Sequence, residues 1–117
     1  MGLRPPNRGP FVSEDAALMA VVGRLVDRLD PEAIYLFGSR ASGRARPDSD
    51  FDLLVVTRIE DGDAGFDYDR AYAPLLGLGV GCDVVPCRND AFETEKERPT
   101  SLCHLAVNQG RKLYERR

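Results

Sequence analysis

The chain has 117 residues, 43% hydrophobic and 30% charged, with a formal net charge of −3. That length fits one domain of ordinary globular composition and leaves no room for a separate substrate-binding domain. The acidic balance argues against broad nucleic-acid binding, which needs a basic surface, and no apolar run approaches a membrane span.

Residues 1–12 are rich in Pro, Gly and Arg and read as an extended or mobile lead to a domain over 13–117. Three cysteines without a secretory signal core point to reduced thiols and a cytoplasmic setting, and Pro6 breaks a myristoylation pattern. Ser13 suits a helix N-cap, with Glu14 and Asp15 well placed against the helix dipole. Leu18, Val21, Val22, Leu25, Val26 and Leu29 follow at helical spacing, and Asp30-Pro31 ends the run. Strands are expected over 33–37 and 51–57, with a loop of acids and glycines from 60 to 66. A helix is expected over 67–77, with Tyr68, Tyr72 and Leu75 or Leu76 along one face. A third strand over 82–86 is expected to stop at Pro86. Helices over 90–97 and 100–108 follow. Gly110 reads as a helix stop before a strand-like Lys112-Leu113-Tyr114. This order implies an α/β (α+β) domain, a mixed β-sheet with flanking helices.

The segment between the first two strands reads Gly38-Ser39-Arg40-Ala41-Ser42-Gly43-Arg44-Ala45-Arg46-Pro47-Asp48-Ser49-Asp50-Phe51-Asp52. Strand side chains alternate, so Asp50 and Asp52 share a face. Two carboxylates in contact repel by about 4 kcal/mol at moderate dielectric, which a cation between them removes. Oxygen-only ligands suit magnesium. Gly38 permits close backbone approach, Ser39 suits the cap of a short helix whose free N–H groups attract phosphate, and Arg40, Arg44 and Arg46 add positive charge. Gly38 to Gly43 has the outer spacing of a P-loop, but Arg44-Ala45 stands where that loop needs Lys and Ser or Thr, so it is rejected. A phosphate grip followed by a metal-binding carboxylate pair is the equipment of metal-assisted phosphoryl or nucleotidyl transfer.

Gly38-Ser39-x-Ala41-x-Gly43, then Ser49-Asp50-x-Asp52 and an apolar run, resembles the signature of the polymerase-beta-type nucleotidyltransferase superfamily. The short length resembles its minimal nucleotidyltransferase (MNT) branch, often encoded beside a HEPN-domain protein. Cys82-Asp83-Val84-Val85 is similar to the third-carboxylate strand of that family, and Gly110-Arg111-Lys112-Leu113-Tyr114-Glu115 to its usual ending. The resemblance implies that Asp50, Asp52 and Asp83 hold two magnesium ions, with Asp83 binding the second or taking the acceptor's proton. It implies that Gly38 and Ser39, assisted by Arg40 or Arg44 and by Ser49, hold ATP. It further implies transfer of AMP to a hydroxyl, with a tyrosine of a HEPN toxin as the expected acceptor and the chain as its antitoxin. A non-catalytic antitoxin acting by occlusion, and a transferase for a small molecule or RNA end, are the alternatives. A homo-oligomer is a further way to build an acceptor cleft.

Other residues carry plainer expectations. His104 and Cys103 are adjacent on a helix and do not face each other, so His104 is read as structural. Cys82 and Cys87 fall on opposite strand faces and read as core thiols. Tyr35, Tyr68, Tyr72 and Tyr114 read as packing residues, with stacking on a base the alternative for one near the site. Arg111, Lys112, Arg116 and Arg117 read as a solvated tail, with contact to a nucleic acid or a partner the alternative.

Overall fold

In the computed structural model, which describes residues 4–117, Ser13 caps the first helix by accepting a hydrogen bond from the Ala16 N–H at 3.0 Å. The first three residues of the expected lead lie outside the described residues. Helix α1 (Glu14–Leu29) buries Ala17, Leu18, Val21, Leu25 and Leu29 on one stripe, and Asp30 ends it in the left-handed conformation (φ 46°). Strands β1 (Ala33–Phe37), β2 (Phe51–Thr57), β3 (Cys82–Arg88) and β4 (Arg111–Glu115) form one sheet in the order β3-β2-β1-β4. β1 pairs antiparallel with β2 and β4, whereas β2 and β3 run parallel.

The apolar run Leu53-Leu54-Val55-Val56 lies inside the sheet, buried on both faces, as a central strand requires. Leu53 and Val55 join Ile34, Leu36 and Val84 beneath α1 and the β2–β3 crossover. Leu54 and Val56 join Ala33, Tyr35, Phe92, Cys103 and Ala106 beneath α4 (Asn89–Glu95) and α5 (Leu102–Gln109). The mixed sheet with helices on both faces is the architecture expected from the element order. Cys82 packs with the first cluster and Cys87 with the second, on opposite faces. Burial pushes the Cys87 thiol up to about 12, and its sulfur lies 3.8 Å from that of Cys103.

Several element boundaries differ from the sequence expectation, three of them for a local reason. Residues 60–66 are not a loop but part of a 3₁₀ stretch, Ile59–Phe66, broken at Gly62 (φ 62°) and pinned by the Thr57 hydroxyl donating to the Gly65 carbonyl at 2.8 Å. The helix over 67–77 is only α3 (Tyr68–Tyr72) followed by a 3₁₀ turn, Ala73–Leu75, because Pro74 lacks the N–H that would continue it. Tyr68, at the start of α3, is exposed rather than core. The third strand runs through Pro86 to Arg88, since β3 is an edge strand with only one paired side.

Gly110 ends α5, but not through a left-handed cap: its φ is −91°. A Cβ there would sit 2.4 Å from the Leu36 carbonyl oxygen and 2.5 Å from that of Ala106. Both neighbours are backbone, so neither swings away. Gly110→Ala is therefore expected to destabilise the fold by about 2 kcal/mol, read as a lower denaturant midpoint with unchanged slope; an unaffected midpoint would refute the close approach.

Candidate active site

The parallel pairing of β2 with β3 sets Asp52 directly beside Asp83. Parallel register places paired residues on one face, so both carboxylates leave the sheet on the side of α4 and α5. Asp50 lies one residue before β2. Two glycines make room for the D-x-D pair. Gly38 follows β1 at φ 73°, and a Cβ on it would lie 2.2 Å from Asp52 Oδ2. A Cβ on Gly81, just before β3, would lie 2.4 Å from Asp50 Oδ1.

Electrostatics records the crowding. The Asp52 carboxyl is held above the usual carboxylate range, first by partial burial and then by the charges of Asp83 and Asp50. Asp50 and Asp83 themselves are exposed. Asp83 is steadied by Tyr72, whose hydroxyl lies 3.2 Å from Oδ1 and accepts the Val84 N–H at 3.0 Å. The same hydroxyl is 3.1 Å from the Cys82 carbonyl, so its single proton has two acceptors within reach. Burial raises the Tyr72 pKa, the Val84 N–H opposes this, and the Asp83 charge adds to the rise. Tyr72 packs against the main core cluster, as its helical spacing leads one to expect, and its hydroxyl also reaches the site. Its distance from Asp83 follows from the crossover, not from any local motif.

The Gly-Ser turn forms α2 (Ser39–Ser42). Gly38, not Ser39, occupies the N-cap, and Ser39 stands at the first helical position, with Gly43 closing the helix in the left-handed region (φ 79°). Arg40 departs from its expected place beside phosphate. Its side chain is only 10% exposed and its guanidinium is committed: to Glu14 Oε1 at 2.6 Å, to the Pro47 carbonyl at 3.0 Å and to the Ser49 carbonyl at 2.7 Å. It also lies over the Phe51 ring, 4.3 Å from the centroid. Arg40 therefore staples the loop to α1 and to the start of β2. Ser49 is likewise a loop-closing residue, its hydroxyl accepting the Arg46 N–H at 2.9 Å.

Arg44 is exposed and, with Phe37, Gly38, Ser39, Leu105 and Gln109, lines a cavity of about 370 Å³. Leu105 and Gln109 come from α5, and no sequence pattern marks them, because only the packing of α5 brings them there. His104 is structural as expected: its Nδ1 lies 2.9 Å from the Lys96 carbonyl.

Among the described residues, no three acidic, histidine or cysteine side chains are gathered into a ready-made cation cage. The donors nonetheless fit a hard divalent cation. They are oxygens only, and Asp52 is strained by two like charges that a cation would relieve. A raised carboxyl pKa means that the protonated form favours folding. That contribution is complete below the unfolded value and is lost as pH rises through the folded value, so at neutral pH ionised Asp52 costs stability. Asp52→Asn is expected to raise the melting temperature in chelator by about 2 °C and to abolish stabilisation by magnesium, measured by thermal denaturation. A lower melting temperature in chelator would contradict the crowding.

Residues 22–117 match the family model described as Polymerase beta, Nucleotidyltransferase. A crystal structure from Sulfolobus solfataricus, provisionally described as a nucleotidyltransferase, is 20% identical over 83% of this chain and 88% of that one, with a TM-score of 0.42. No match to a curated protein was found. The matched segment contains the Gly38 turn, the D-x-D pair and Asp83, and the chain belongs to the polymerase beta nucleotidyltransferase family.

Proposed function

We propose that this nucleotidyltransferase domain moves AMP from ATP to a hydroxyl with the help of magnesium, that the acceptor is a tyrosine of a HEPN-domain partner, and that the chain is an antitoxin of the minimal nucleotidyltransferase type. The observation that carries the chemistry is Asp52 beside Asp83 in paired strands, with the Gly38 turn against the same carboxylate. Asp50, Asp52 and Asp83 are the residues that would hold the metal. Bound magnesium would neutralise triphosphate charge and stabilise the departing pyrophosphate.

The chain's own groups divide the remaining work. The N–H groups at the start of α2 and the Ser39 hydroxyl donate to phosphate oxygens, and Gly38 lets the backbone come close. Arg44, at the rim of the α5-lined cavity, adds positive charge; Arg40 serves by holding the turn in shape. The acceptor oxygen attacks the α-phosphorus, the bond from that phosphorus to the bridging oxygen breaks, and pyrophosphate leaves with the electron pair. Asp83 either takes the proton of the attacking hydroxyl or supports a second cation. Asp50 and Asp83 are both exposed, which suits an acceptor carried on another protein. We place the activity in the cytoplasm, where ATP and magnesium are available.

Mass spectrometry of the chain mixed with its HEPN partner, ATP and magnesium is expected to show one AMP mass on a partner tyrosine. Asp50→Asn combined with Asp52→Asn is expected to reduce adduct formation by about 100-fold or more, while leaving complex formation intact. No adduct, together with equal silencing of the partner by wild type and double variant, would replace transfer by occlusion.

A further inference from the structure

Asp50 stands outside β2, so the ladder that fixes Asp52 does not fix it. Its place depends on its two flanking anchors, Ser49 and Gly81. The Ser49 carbonyl accepts from Arg40 and, at 2.9 Å, from the Asn7 side-chain amide. The same Asn7 nitrogen donates to the Gly81 carbonyl at 2.8 Å, and the Gly81 N–H returns a bond to Asn7 Oδ1 at 2.7 Å. The Asn7 backbone N–H donates to the Pro47 carbonyl at 2.7 Å. One side chain thus uses both of its donors and its acceptor to tie the residue before Asp50 to the glycine on which the Asp50 carboxylate rests.

The segment bearing Asn7 is itself held. Phe11 packs against the main core cluster. A Cβ on Gly9 would come within 2.9 Å of the Gly79 carbonyl oxygen, so this strap lies tight against the β3 approach. Arg4 adds only an exposed bridge to Asp48 at 2.9 Å. Asn7 precedes the family-matched segment, which begins at residue 22, so the family pattern does not account for it.

We propose that Asn7 is a positioning residue for the cation site: its side-chain amide clamps the starts of β2 and β3 together and so fixes Asp50 against Asp52. This rests on the reading that Asp50 and Asp52 hold the metal. Without the amide, Ser49 keeps Arg40 and the Gly81 carbonyl keeps the Phe51 N–H at 3.1 Å. The Gly81 N–H loses its partner and the direct tie between Ser49 and Gly81 is lost, so the floor beneath Asp50 is held from one side only. Groups that orient metal ligands from behind commonly alter affinity by about 10- to 100-fold.

The test uses the full chain as wild type, Asn7→Ala, Asn7→Asp and Arg4→Ala. Asn7→Asp keeps the size but turns a carboxylate oxygen toward two carbonyls, so it cannot substitute for the amide. Mn²⁺ binding is followed by loss of the free-ion electron paramagnetic resonance signal, with circular dichroism reporting the folded fraction of each variant. Both Asn7 variants are expected to stay folded and bind Mn²⁺ about 10-fold more weakly than wild type, with Arg4→Ala unchanged. Wild-type affinity in folded Asn7→Ala would overturn the positioning role alone, as would an equal loss in Arg4→Ala. Unfolding of both Asn7 variants would make Asn7 a general determinant of the fold and overturn it too. Wild type that binds no Mn²⁺ would instead sink the metal reading, and this proposal with it.

Discussion

Three like charges at one end of a small sheet are the constraint around which this molecule is arranged. Asp52 and Asp83 are neighbours because β2 and β3 pair in parallel, and Asp50, one residue before β2, has its carboxylate against Gly81, just before β3. Partial burial and repulsion together lift the Asp52 carboxyl. A sheet selected for stability alone would place an apolar or hydrogen-bonded residue at such a position. The space left at Gly38 and Gly81 points the same way. At each, a methyl group would overlap a carboxylate oxygen, so both positions favour the acids over any side chain of their own.

The remainder of the fold holds this arrangement still. β2 is buried on both faces and reaches the site rigidly, with α1 and the crossover on one side and α4 and α5 on the other. The loop between β1 and β2 is constrained at both ends, by Arg40 bridging Glu14 and the Ser49 carbonyl, and by Asn7 on the same carbonyl. The Arg40–Glu14 tie runs from the turn to the start of α1, and the bonds from Arg40 and Asn7 to Ser49 run to the residues just before β2. The site is open at two edges: Arg44 and the α5-lined cavity on one flank, and Asp83 with its Tyr72 hydroxyl on the other.

Much of this was legible in the sequence, and what was not has physical causes. The ends of β1 and β2, the start of α1 and the pairing partner of β2 follow from apolar runs, a serine cap and the need to bring the third acid beside the other two. Pro86 lies within β3 because a proline ends an interior strand but not an edge strand, and edge position is a property of the finished sheet. The apolar periodicity of residues 67–77 continues through Pro74, although the backbone hydrogen bonding cannot. The family resemblance offers Arg40 or Arg44 to phosphate, and the Arg40 guanidinium is turned to Glu14 and the Ser49 carbonyl instead. Its commitment to Glu14 depends on where α1 docks, which no local pattern encodes. Tyr72, Leu105, Gln109 and Asn7 are tertiary arrivals of the same kind. They carry no motif, and only the packed chain brings them to the acids or to the turn.

The crowding of Asp52 is measured directly by carboxyl-carbon nuclear magnetic resonance. In chelator, the Asp52 signal is expected to titrate above the ordinary aspartate value of about 3.9. With saturating magnesium its midpoint is expected to fall, because the cation then outweighs Asp50 and Asp83. An Asp52 midpoint at the ordinary value in chelator, unmoved by magnesium, would contradict both the electrostatic crowding and the cation site built on it.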